Sequence, residues 1–461
     1  MKKMLNAVLL IVTILALGVL TACTNQESDT KDENPATGKD PSQSDTDQPN
    51  ESDMKTPPIK FWHSLSGEDQ VALESIVEGF NKSQDKVEVT AEFQGDYEKA
   101  MEKWQQVSGT KEAPALIQIE DMDTQSMLDS DKGEPIQMLA DSGGIDISGL
   151  DAAVLNHYNY QGKLVSIPLT ASIPMMVYNK DLFKEAGLDP ETGPELISEL
   201  IHSSATLTTD QRTGFSMPSN GWLFENWLAI IGGEYVNERN GRAGNATKAE
   251  FSSDAGRLVF RTLQDMNEAG TFKSFGTDWE DTRDAFVSEK TAIYLESSSH
   301  IEKVRSDASF NVGVAFVPGG DELRREGVVT SGSSVWVSKE IDNEQQEGAL
   351  KFLTYFLTPE VQAEWHVKTG YLAINPKAVD EEIVQTKWED QPFYQVVMDQ
   401  LHDAESSSVN QGALFAAHRE SRQAIVSALE KMYEGKDYQA ALAEAAERTN
   451  TAMEEGNTKG E

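Results

Sequence analysis

The sequence predicts an α/β fold of two lobes whose chain crosses between them more than once. Three observations lead there. Strand and helix patterns alternate from Ile59 onward, the stretch from Ile59 to Glu461 exceeds one comfortable hydrophobic core, and strand-like segments return after a long helical insertion. Ile59-Lys60-Phe61-Trp62 reads as a short opening strand. Leu73, Ile76, Val77 and Phe80 then fall at i, i+3, i+4 and i+7, one face of a helix. Val87, Val89, Ala91 and Phe93 alternate as a strand with one buried face. A helix over Tyr97 to Val107 and an apolar strand over Ala115 to Ile119 complete the run. Strands separated by helices require parallel pairing with crossover connections.

Leu164 to Pro168 reads as a strand leaving the first lobe, and Met175 to Asn179 as the next, followed by a helix to Gly187. Leu196 to Asn267 is mostly helical. Ala292 to Leu295 is a short buried strand ahead of Ser297-Ser298-Ser299, and Val312–Val317 and Ser334–Val337 are strands again. From Asn343 the pattern is helical, with marked helices at Ala413–Tyr433 and Tyr438–Met453. This order assigns residues 59–168 and 292–338 to one lobe, and 169–291 and 339–461 to the other. Interrupting one lobe with another places a ligand cleft at their boundary. Ligands in open sheets sit beyond the carboxyl ends of strands, which marks His63-Ser64, Gly95-Asp96-Tyr97 and Glu120-Asp121. Each taken alone is equally well an ordinary solvated loop.

The N-terminus has the pattern of an export signal. Lys2 and Lys3 precede an apolar run from Leu5 to Leu20, which stops at Leu20-Thr21-Ala22-Cys23. A transmembrane helix is the plain alternative, but the run falls just short of the ~20 residues a span needs, and a small-small-Cys step is no reason for a helix to end. Residues 1–23 are therefore expected to be a lipoprotein signal ending on the lipidated Cys23, with the mature chain on the outer face of the cell membrane. From Thr24 to Asp53 the only aliphatic side chain is Ala36, so residues 24–58 are expected to form a disordered acidic tether. A net charge of −38 repels nucleic acid, which needs clustered Lys and Arg. One cysteine excludes an internal disulfide, and seven scattered histidines without an H-x₃-H pair argue against zinc. No cofactor is expected.

Several segments resemble the extracellular solute-binding proteins that feed sugar-type ABC importers, in particular the branch that binds glycerol phosphates. They are Ile59-Lys-Phe-Trp-His-Ser64, Gln94-Gly-Asp-Tyr97, Ala113 to Glu120, Pro174 to Asp181, Gly332-Ser-Ser-Val-Trp336 and Trp365-His-Val-Lys-Thr-Gly-Tyr371. The resemblance implies a two-lobed periplasmic-binding-protein-like fold of type II with ligand in the inter-lobe cleft. It implies a small-molecule ligand such as glycerol phosphate, delivered to ABC permease subunits and their ATPase by a monomer held at the membrane through its lipid anchor. Residue by residue, it carries ligand contacts onto Tyr97, Glu120, Ser172, Ser297, Gly332, Tyr371 and Arg422.

The chemistry of those residues agrees. Arg422 offers a planar fork for a phosphate, and His418 and Arg419 on the same helix would make one face basic; a salt bridge to Glu420 or another acid is the alternative. Ser297 lies where a strand feeds a helix, so backbone N–H groups are expected to point at an anion, with an ordinary N-cap as the plainer role. Gly332 permits close backbone approach, or simply makes a turn. A carboxylate repels phosphate, so Glu120 is expected to accept bonds from hydroxyls at the ligand's far end, while Tyr97 and Tyr371 donate theirs. Trp222 either stacks on the ligand or fills the core. Ala171 stands where glycerol phosphate binders commonly place a serine, and the region around Trp222 lacks their paired Gly-Trp steps. A glycerophosphodiester or a sugar-like solute therefore stays open.

Two other functions compete. Glu120 and Asp121 invite a glycosidase, but adjacent residues at a strand end point in opposite directions, and no G-x-S-x-G, P-loop or H-E-x-x-H motif is present. An oligosaccharide binder of the same fold would use the eight tryptophans as platforms. The expectation is a binder, not an enzyme.

Overall fold

The computed structural model describes residues 58–459; the export signal, Cys23 and the tether up to Pro57 lie outside them. Among the described residues the strands are β1 (Ile59–His63), β2 (Val89–Phe93), β3 (Leu116–Glu120), β4 (Gly133–Glu134), β5 (Asn159–Tyr160), β6 (Lys163–Leu164), β7 (Ile167–Pro168), β8 (Pro174–Asn179), β9 (Thr213–Ser216), β10 (Thr291–Ser297), β11 (Val312–Ala315) and β12 (Ser333–Ser338). Two sheets carry the fold. The first has the order β2-β1-β3-β12-β4, with β7 also pairing β12; the second has the order β11-β8-β10-β9.

In the first sheet β1 pairs parallel to both β2 and β3, as the strand-helix-strand pattern requires. Helix Gly67–Ser83 buries Leu73, Ile76, Val77 and Phe80, the predicted stripe. Helix Tyr97–Val107 occupies the predicted span, capped by the Asp96 side chain accepting from the Lys99 N–H. The alternation in β2 survives only in part, because β2 is the sheet edge: Val89 is buried while Phe93 is 51 % exposed.

The lobe boundaries differ from the expected ones. β10 and β11 belong to the second sheet, pairing Ile293 with Tyr178 and Val314 with Val177, so only β12 of the segment 292–338 returns to the first sheet. The cause is β8 (Pro-Met-Met-Val-Tyr-Asn), buried along its whole length, which needs a strand on each side. Residues 339–461 do not stay with the second lobe either. Helices Asn343–Phe356 and Pro359–Thr369 pack on helix Gly67–Ser83, whereas helices His418–Tyr433 and Tyr438–Lys459 pack on Gly221–Ile230 and Asp254–Glu268. Helix His418–Tyr433 also starts later than Ala413. The N–H of Ala413 donates to Glu225 (3.0 Å) and that of Leu414 to the Asn240 carbonyl (2.9 Å), which holds this stretch out of a helix.

Three segments cross between the sheets side by side. Ser172 and Ser331 exchange main-chain hydrogen bonds at 3.0 and 3.2 Å, and the Leu372 N–H donates to Ala171 O at 2.9 Å. Gly332 sits at this junction with φ +138°, where an added Cβ would lie 1.9 Å from the Thr170 carbonyl oxygen.

Candidate functional site

A cavity of about 530 Å³ opens between the end of β3, the crossing segments and helices Gly221–Ile230, Trp279–Val287 and His418–Tyr433. It is lined by all eight expected residues: Tyr97, Glu120, Ser172, Trp222, Ser297, Gly332, Tyr371 and Arg422. Their surroundings decide what each can offer.

Tyr97 opens its helix beside Gln118, whose amide is fixed by the Ser64 N–H (2.8 Å) and by the Ser333 hydroxyl (2.7 Å). Burial, with help from the Glu120 charge, pushes the Tyr97 hydroxyl up to about 12, so it remains a donor. The Ser172 main chain is committed to Ser331, and its hydroxyl bonds to no other described residue. The Tyr371 hydroxyl is already engaged: it donates to Asp69 (3.0 Å), and the ring stacks on Trp365. It therefore offers the cleft a ring rather than the expected free hydroxyl.

Arg422 is not on a basic face. Its Nη2 donates to Asp121 (2.9 Å) and its Nε to Glu225 (2.9 Å), while His418 Nε2 contacts the same Glu225 oxygen at 2.9 Å. Arg419 Nη2 donates to both Glu120 (2.6 Å) and Asp123 (2.7 Å). The expected face of positive charge is neutralised by four carboxylates. Gly221 permits this closeness, since a Cβ there would meet the Arg422 Cβ at 2.6 Å. Glu225, one turn further on, thus reaches the guanidinium. Burial alone would raise Asp121, but the charges of Arg422, His157 and His418 outweigh it and hold its carboxyl low. Glu120 goes the other way: burial, then the Asp121 charge, outweigh Arg419 and push it up to about 7.

Two of the N–H groups expected to converge on an anion at Ser297 are occupied. That of Ser297 donates to Glu296 (2.8 Å) and that of Ser298 to the Ile173 carbonyl (2.9 Å). Beside them stands the pair of hydroxyls on Ser297 and Ser299, 3.0 Å apart. Trp222 follows Asn220, which caps its helix by accepting from the N–H groups of Trp222 and Leu223. Its ring lies 6.0 Å from that of Trp279, and its indole N–H is buried without a partner. Trp279 and Arg283 line the cleft without having been singled out in the sequence, and Arg419, named there only as part of a basic face, lines it as well. The available signal was the i, i+4 spacing of Trp279 and Arg283 on one helix face.

Two sheets joined by three crossing segments, with a polar cavity at the crossing, define a two-lobed binder of small solutes. The sequence profile of bacterial extracellular solute-binding proteins matches residues 75–392, and the chain belongs to that family. It is 31 % identical over 409 residues to the sn-glycerol-3-phosphate-binding periplasmic protein UgpB of Yersinia pseudotuberculosis, covering 87 % of this chain and 93 % of that protein. Among solved structures it resembles UgpB of Mycobacterium tuberculosis in complex with glycerophosphocholine (TM-score 0.74, 20 % identity, covering 87 % and 99 % of the two chains). It also resembles the cyclic alpha-maltosyl-1,6-maltose binding protein of Arthrobacter globiformis (TM-score 0.72, 21 % identity, 87 % and 100 %). Both show the two-lobed fold. Members of the family are solute-binding components of transport, which hand small molecules to ABC permeases.

Proposed function

We propose that this chain captures a small phosphorylated polyol, sn-glycerol 3-phosphate or a glycerophosphodiester, outside the cell and delivers it to the permease of an ABC importer. The observation that carries the reading is a cleft lined by the Trp222–Trp279 pair and by Arg283, which meets a single acid, fit for a phosphate joined to a short carbon chain. The names of relatives at 30–31 % identity over most of the chain support the same ligand class. Ligand enters between the lobes, contacts from both sides favour the closed form, and the permease recognises that form. No bond is made or broken in this chain; ATP is hydrolysed by a partner. The monomeric binder is anchored through lipid on Cys23, with the acidic tether as spacer. Replacing Cys23 with Ser is expected to release it into the medium, read by membrane fractionation.

Calorimetry tests the ligand. Binding of sn-glycerol 3-phosphate or glycerophosphocholine, without binding of maltose, is the expected result. Tight maltose binding with no response to either phosphorylated solute would sink the reading in favour of a neutral sugar, the alternative that the tryptophan pair favours.

A further inference from the structure

The three arginines on the cleft wall are not equivalent. Arg422 is held by Asp121 and Glu225, and both Nη2 hydrogens of Arg419 point at carboxylates. Arg283, 6 % exposed, meets a single acid: its Nε donates to Glu296 at 3.0 Å. Among the described residues neither of its Nη nitrogens donates to a carboxylate or carbonyl, the Tyr294 hydroxyl is its one further side-chain hydrogen-bond partner, and Glu280, which also lines the cleft, forms no ion pair with it.

Glu296 is built to hold that guanidinium by its inner edge. It is fully buried, and also accepts from the Tyr294 hydroxyl (3.2 Å) and the Ser297 N–H (2.8 Å). Those bonds spread its charge and fix its position, so the Arg283 fork has one committed edge and one open edge. Ser297 and Ser299 stand on the same wall, and the Ser299 hydroxyl also lies 3.1 Å from His300 Nδ1.

We propose that Arg283 is the anion-contacting residue of the cleft, facing the ligand's phosphoryl oxygens through its two Nη groups alongside the Ser297 and Ser299 hydroxyls. Glu296 is its positioning residue. The assignment rests on the reading that the ligand is phosphorylated, and it moves the charge-neutralising role from Arg422 to a residue on a different helix. A guanidinium with two parallel N–H groups free suits a tetrahedral oxyanion; one shared between two carboxylates does not.

The test compares wild type with R283K and with the charge-matched pair R283Q/E296Q, which leaves no buried acid unpaired. Calorimetry with sn-glycerol 3-phosphate and glycerophosphocholine is read beside thermal melting and the ³¹P resonance of the bound ligand. R283K keeps a charge against Glu296 but loses the fork. It is expected to weaken both phosphorylated ligands about tenfold or more and to shift the bound ³¹P resonance, with melting little changed. R283Q/E296Q is expected to weaken them further. Affinities within about twofold of wild type in R283K, with an unmoved ³¹P resonance, would overturn the assignment while leaving the ligand class standing. Wild type that binds neither phosphorylated solute would overturn the ligand reading itself, and this assignment with it.

Discussion

The cleft has two arginine clusters, and they are built on opposite plans. Around Arg419 and Arg422, the carboxylates of Glu120, Asp121, Asp123 and Glu225 outnumber the guanidinium groups, and Arg422, Asp121 and Glu225 are buried. Around Arg283 one carboxylate meets one guanidinium and leaves half of the fork open. The first cluster ties the end of β3, in one lobe, to helix His418–Tyr433 in the other. The second lies wholly within the second lobe, between helix Trp279–Val287 and β10. Charge satisfied within the protein serves cohesion, while charge left open serves a ligand, so changes at the two ends should be felt in different measurements.

Breaking the closed cluster should have the largest effect. Arg422→Ala removes the donor to Asp121 and Glu225 together and leaves two buried carboxylates facing each other. The expected loss is about 3–5 kcal/mol of stability, read as a lower denaturant midpoint. Binding would fall as well, but as a consequence of the disturbed wall. A variant with unchanged stability would show that Arg422 is not committed as the ion pairs imply.

Relieving the excess charge in the same cluster should do the reverse. The Glu120 carboxyl is pushed up to about 7, above its ordinary value of 4.5, so the folded chain holds its proton longer than the unfolded chain. Its contribution to stability is therefore fully present below about pH 4.5 and is lost as pH rises through about 7. Glu120→Gln keeps an acceptor and deletes the charge. The variant is expected to match wild type near pH 4.5 and to be the more stable of the two at pH 8, checked by urea unfolding at both values. Equal stability at pH 8 would mean that Arg419 fully compensates Glu120.

Much of the cleft was legible in the sequence, because its residues sit in short motifs with a local physical cause. Asp96 caps the helix that presents Tyr97, and Gly332 occupies a backbone conformation closed to other residues. Partnership was not legible. Arg422, read alone, is a fork for a phosphate or one half of a salt bridge to Glu420 or another nearby acid; only the approach of helix Gly221–Ile230, permitted by Gly221, brings Glu225 to it from nearly two hundred residues away. Lobe membership failed for the same reason. β10 has the buried apolar pattern of a strand in either sheet, and the need of β8 for neighbours on both edges is a property of the assembled sheet. Local patterns name the elements, while long-range pairing decides which charges are neutralised and which remain open.

The smallest effect is expected at the open cluster. The Ser299 side chain is half-buried and among the described residues bonds only to the Ser297 hydroxyl and the His300 ring, so Ser299→Ala leaves no buried charge unpaired and removes little packing. Its melting temperature should stay with wild type. If the Arg283 end faces the phosphoryl group, losing this hydroxyl removes one hydrogen bond to a charged acceptor, worth about 1.5 kcal/mol or roughly tenfold in affinity at most. The same calorimetric titration that measures the wild type reads that change. A drop in melting temperature with unaltered affinity would reverse the comparison, making the Arg283 end structural and returning the ligand's charge to the β3 end of the cleft.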